Sequence, residues 1–142
     1  MKHIDRIIRV EVAAMLREVL EQPDAWTLQT GRQERSPVHR ETRSIPIRGI
    51  RKSRMQGRAR RDVHETRWTK LSKRFPHVVE FLEDFARRED GSLGRARMVL
   101  LPPDASVHAH RDRGAYYRLR DRFHLVLRAD AGCTLRVVDE SA

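Results

Sequence analysis

The stretch "GRARMVLLPPDASVHAHRDRGAYYRLRDRFHLVLRADAGCTLRVV", Gly94–Val138, decides the fold. Its apolar residues alternate with polar ones, a period of two that belongs to strands. "RARMVLLPP" reads as a strand stopped by Pro102 and Pro103, and "SVHAH" alternates after that turn. "RFHLVLRA" places Phe123, Leu125 and Leu127 on one face and Arg122, His124 and Val126 on the other. "CTLRVVDE" makes a fourth short strand after a turn at "ADAG".

Upstream the period is helical. Ile4, Ile7, Ile8, Val12, Met15, Leu16, Val19 and Leu20 recur at three- and four-residue spacing, and Pro23 ends the run. In "RFPHVVEFLEDFARREDG", Pro76 suits the first helical turn. Val78, Phe81, Leu82 and Phe85 form one face, and Gly91 stands as the stop. Between these helices, "TRSIPIRG" can hold a short edge strand interrupted by Pro46. "RKSRMQGRARRDVHETR" has no period and reads as loop. Two helices before at least four strands predict a mainly β chain with N-terminal helices, an α+β class. The 142 residues suit one domain. Residues 1–90 form its helical and basic-loop part, and residues 91–142 its strands.

Charge is uneven. Net charge is +10, yet residues 31–74 hold 15 Lys/Arg against 4 Asp/Glu, a local +11. Such a block is a solvated surface or a site for nucleic acid. Few aromatics interleave the arginines, and no helix-turn-helix or zinc-finger pattern is present, so the nucleic-acid reading is not favoured. The single cysteine, Cys133, excludes an internal disulfide and a Cys-rich zinc site. No secretory leader or membrane-spanning run is legible. The expectation is a soluble cytoplasmic protein with no membrane partner.

His110 and Asp112 are two residues apart, which on an extended backbone points both to one side. An imidazole and a carboxylate so placed can provide two ligands of a 2-His-1-carboxylate iron site. Arg122 and His124 have the same spacing, and their face is either solvent or the lining of a pocket. An arginine there would grip a dicarboxylate through a charge-assisted fork. Tyr116 and Tyr117 lie between the two pairs and form a candidate substrate loop. His108, His39, His64 and His77 carry no partner pattern and read as surface or supporting residues.

This ordered set is an arginine-led strand, a Pro turn, His-x-Asp, a short loop, Arg-x-His opening an aliphatic strand, and a Gly-Cys turn. It resembles the aspartyl/asparaginyl β-hydroxylase family of iron(II)- and 2-oxoglutarate-dependent dioxygenases. The resemblance covers about a third of the chain closely, and extends more loosely through "RETRSIPIRG" and "LSKRFPHVVEFLEDF". It implies a double-stranded β-helix, the cupin-like jelly roll. It assigns His110 and Asp112 to the metal, and Arg122 and His124 to 2-oxoglutarate. The implied cofactors are Fe(II) and the co-substrate 2-oxoglutarate. The implied reaction is oxidative decarboxylation of 2-oxoglutarate coupled to hydroxylation of a protein or amino-acid-type substrate.

The family pattern also requires a second metal histidine on a later strand and a basic residue beyond it. Leu125–Ala142 contain no histidine. The expectation is therefore a partial jelly roll: a truncated, inactive member or a non-catalytic remnant, able to self-associate through open strand edges. His39 or His64 as a replacement ligand has no support in spacing.

Overall fold

The computed structural model describes residues 7–50 and 62–136. The order is α1 (Ala13–Leu20), a 3-10 turn (Pro23–Thr27), α2 (Gly31–Arg35), a second turn (Pro37–His39), β1 (Arg43–Gly49) and β2 (Arg67–Trp68). A third turn (Leu71–Arg74), α3 (Pro76–Arg88), β3 (Ala96–Leu100) and α4 (Ala115–Arg118) complete it. The α+β class stands but the chain is mixed and not mainly β, with helices around a small three-stranded antiparallel sheet of order β2-β1-β3.

β1 is the middle strand, not an edge strand. Ile45 faces Met98 and Pro46 faces Arg97, and the register shifts between Pro46 and Arg48. That irregularity is how a proline sits inside a central strand: it has no N–H for the ladder, so it is tolerated beside a bulge. The Pro46 carbonyl accepts from the Thr69 hydroxyl at 2.7 Å, which extends the pairing past β2. Ile45 and Ile47 are fully buried and pack with Met15, Val19, Ala25, Phe75, Val78 and Met98 as one core.

α1 begins at Ala13, later than the apolar period suggests. The Glu11 carboxylate accepts from the Ala13 N–H at 2.9 Å. Ile7 is 87% exposed and Ile8 is exposed as well, so these two side chains of the apolar period do not enter the core. The helix instead buries Met15 and Val19, together with one carboxylate, Glu18. Glu18 Oε1 accepts from the His77 backbone N–H at 3.0 Å, and Oε2 from that of Val78 at 3.2 Å. A side chain of α1 thus satisfies donors left open at the start of α3, where the cap position Phe75 offers no side-chain oxygen. Arg74 grips Asp24 with both terminal nitrogens, at 2.8 and 2.7 Å, and ties the third turn to the first.

α3 ends one residue before the position expected from Gly91. Asp90 takes the left-handed conformation (φ 49°), its N–H donates to the Arg87 carbonyl, and the Gly91 N–H donates to the Ala86 carbonyl at 2.9 Å. This pair of bonds is a Schellman motif.

Two of the expected strands are not strands, and the described part of a third is not one either. Ser106–His110 and Arg122–Leu127 have no ladder partner, and neither do the described residues of "CTLRVVDE". Alternation shows which face would be buried but supplies neither the paired strand nor the cover. Phe123 is 57% exposed and Leu135 64%. Much of the segment expected as loop, residues 51–61, lies outside the described residues. Among the described residues no helix is long and apolar enough to cross a membrane.

Removal of the buried cap is the sharpest test of this packing. Glu18→Ala is expected to cost about 1–3 kcal/mol, the penalty for leaving buried donors unpaired. Glu18→Gln, which keeps an acceptor oxygen, should retain part of it. Urea unfolding reads both, and an unchanged midpoint in Glu18→Ala would refute the role.

Candidate functional site

The segment that leaves β3 is clamped at both ends. At its start Asp104 is left-handed (φ 60°), and the Ser106 N–H donates to the Glu41 carboxylate at 2.7 Å. At its end Gly114 has φ 118°, and a Cβ there would lie 2.4 Å from Asp62 Oδ1, so only glycine fits. Tyr116 comes next and is turned inward. Its hydroxyl accepts from the Arg95 N–H at 2.7 Å, and its ring lies under the Arg95 guanidinium at 4.0 Å. Its position beneath the loop is that of an anchor, whereas Tyr117 stays at the surface. Between the clamps lie His110 and Asp112, on irregular backbone and not on a strand.

The His110 ring is oriented locally. Its Nδ1 lies 2.8 Å from the His108 carbonyl. A carbonyl only accepts, so Nδ1 carries a proton, and Nε2 is the nitrogen left to face a ligand. Asp112 forms an ion pair with Arg122, and the Arg122 guanidinium lies 5.3 Å over the Tyr117 ring. The expected metal arm and the expected co-substrate arm therefore meet. The strand parity that suggested Arg122 and His124 is not what joins them, because those residues are not on a strand. Partial burial, and then the neighbouring Arg122 cation, hold His124 below its usual basicity, while Asp112 opposes them.

Two further side chains enter from the opposite end of the chain. The turn before β1 brings the His39 ring within 5.2 Å of His110, edge to face. Thr42 fixes that turn through its N–H and hydroxyl on the His39 carbonyl, at 3.0 and 2.8 Å. Arg32 on α2 donates to His39 Nε2 at 2.8 Å. A guanidinium has no acceptor, so His39 accepts on Nε2 and is neutral. Burial, then the Arg32 cation, then His110 push its pKa down to about 4. Sequence reasoning missed Arg32 and set His39 aside. His39 lies 71 positions before His110, and no spacing rule links them. Of the basic block, Arg32, Arg48 and Arg74 are bonded within the chain.

His110, Asp112 and His39 do not converge on a point. Among the described residues no group of three His, Cys, Asp or Glu side chains could hold a metal ion. His110 and Asp112 fit two places of the iron donor set by chemistry.

Residues 6–142 match the model of the family described as aspartyl/asparaginyl beta-hydroxylase. No curated protein and no solved structure matches the chain.

The state of His39 is testable by acid. Its folded pKa of about 4 lies below an unfolded value of about 6.5, so the unfolded chain takes up the proton first. The stability linked to neutral His39 is complete above about pH 6.5 and is lost as pH falls toward 4. Urea midpoints of the wild type should therefore fall more across this window than those of His39→Gln. Parallel profiles would show that His39 does not titrate there.

Proposed function

The chain belongs to the aspartyl/asparaginyl β-hydroxylase family, and from that premise we propose that it carries part of an iron(II)- and 2-oxoglutarate-dependent hydroxylase site. The observation that carries this reading is the Arg122–Asp112 ion pair, which brings the two arms of the site onto one spot. Arg122 is half exposed, and such a pair contributes under about 1 kcal/mol. A ligand that neutralises either partner can therefore replace it at little cost.

In this proposal His110, through Nε2, and Asp112 would hold Fe(II), and Arg122 and His124 would hold 2-oxoglutarate. Iron, when bound, supplies the oxygen chemistry, with 2-oxoglutarate as the co-reductant. The chain's residues do the rest. The His108 carbonyl keeps His110 in the ligating tautomer. Asp112 would turn from Arg122 to the metal, and the guanidinium so freed would fork onto a carboxylate of 2-oxoglutarate. Tyr117 keeps that guanidinium over its ring. The acceptor would be an aspartyl, asparaginyl or related amino-acid-type substrate, in a protein or free. A partial double-stranded β-helix belongs to the same proposal, supported by the antiparallel sheet whose strand β3 leads through Pro102 and Pro103 into the metal arm. A cytoplasmic setting is supported only by the single, unpaired Cys133.

The test is binding. Under anaerobic conditions the chain should take up Fe(II), and His110→Ala or Asp112→Ala should abolish uptake. Arg122→Ala should weaken 2-oxoglutarate by about 10–100-fold, the loss of a charge-assisted hydrogen bond, and leave the metal in place. No uptake of Fe(II) by the wild type would exclude catalysis by this form.

A further inference from the structure

Arg32 is a cation beside the site that the proposed reaction does not use. It is partly buried, and its bonded partner is a neutral imidazole, His39 Nε2 at 2.8 Å. Asp112, the carboxylate within its electrostatic reach, is paired with Arg122. Arg97 is a second guanidinium within reach of His39, bonded to the Ser44 hydroxyl at 2.9 Å. The carboxylate that acts on Arg32 is thus shared with Arg122. Keeping a guanidinium out of water without a counter-charge is unfavourable. Functional sites are where such an arrangement persists, because a ligand supplies the missing charge.

The geometry favours reception of a carboxylate. A guanidinium presents five N–H donors in a rigid planar fork, and His39 engages one nitrogen. His39 is fixed in turn by Thr42 and by its edge contact with His110. Arg32 is therefore held from one side, with further donors left for a ligand. Arg122 is occupied by Asp112, so Arg32 is a separate guanidinium within electrostatic reach of the same carboxylate.

We propose that Arg32, held in place by His39, binds a carboxylate of the substrate and makes this chain select an acidic over an amide side chain. The inference rests on the functional reading above and adds to it which of the two substrate types is accepted, and by which residue. Arg32 acts by charge and fork geometry, so lysine should replace it only in part. His39 is a positioning residue that acts through Arg32.

The experiment uses the full chain with Mn(II) in place of Fe(II) and 2-oxoglutarate present. The probes are N-acetyl-aspartyl amide and its asparagine counterpart, followed by calorimetry or by amide chemical shifts. The wild type should bind the carboxylate probe about tenfold or more tightly than the carboxamide. Arg32→Met should abolish that preference while 2-oxoglutarate affinity stays within about twofold. Arg32→Lys should retain part of it. Arg122→Met should do the reverse, weakening 2-oxoglutarate and leaving the preference. Equal binding of the two probes by the wild type overturns the proposal, as does a preference that survives in Arg32→Met. Intact 2-oxoglutarate binding in Arg32→Met shows that the variant is folded. If the wild type fails to bind 2-oxoglutarate, the functional reading itself fails, and this inference falls with it.

Discussion

The burial of Ile45 and Ile47 on β1 is the interaction on which the other elements depend. Both side chains are closed off from water, and the core of α1, the turns and α3 packs with them. A strand paired on both sides cannot slip by one residue without turning those isoleucines away from the core. Pro46 adds a second constraint, because the ladder must skip its missing N–H and shift register there. With β1 so held, the turn that enters it is held too, and His39 stands at a defined place. β3 is paired to the same strand, so the segment that leaves β3 starts from a defined point as well. The two halves of the site are positioned by one end of a single antiparallel pairing, where Arg43 at the start of β1 faces Leu100 at the end of β3.

Beyond β3 the chain is governed by local clamps and not by sheet pairing. Glu41 receives the chain at Ser106, and the Gly114–Tyr116 corner fastens it again. The hydrogen bonds of Thr66 to the carbonyls of Leu93 and Gly94 brace the approach to β3. Loops that carry function are commonly held this way, mobile in principle and pinned at a few polar points. Inside the clamps the electrostatics are lopsided. Asp112 faces Arg122, His39 is kept neutral by its bond to Arg32, and the basicity of His124 is lowered by burial and by Arg122. Neutral imidazoles and guanidiniums together favour divalent metals and carboxylates, the two ligand types that the proposed reaction requires.

Much of this was legible because it is local. The helix at Pro76–Arg88 is implied by Pro76 and the Val78–Phe85 stripe. The strand at Ala96–Leu100 is implied by alternation and its prolines. Position along the chain gave the end of α3 only to within a residue, since an aspartate took the left-handed place expected near Gly91. Alternation at Arg122–Leu127 misled as to strand, because the pattern is a statement about burial and a strand needs a partner to become one. Ile7 misled in the same way at the other end: it keeps the apolar spacing, yet its side chain does not enter the core.

Composition and periodicity determined the α+β class and the two principal helices, and the His-x-Asp and Arg-x-His spacings singled out the two pairs to which the family resemblance assigned metal and co-substrate. These are properties of neighbours along the chain, where spacing fixes direction. Only the tertiary structure decided that β1 is central, that Glu18 caps α3 through His77, 59 positions along the chain, and that Arg32 and His39 stand beside His110. Each of those joins residues far apart in sequence through a sheet or a buried polar contact. No local pattern encodes such a meeting, because the energy that selects it arises only when the distant surfaces are packed together.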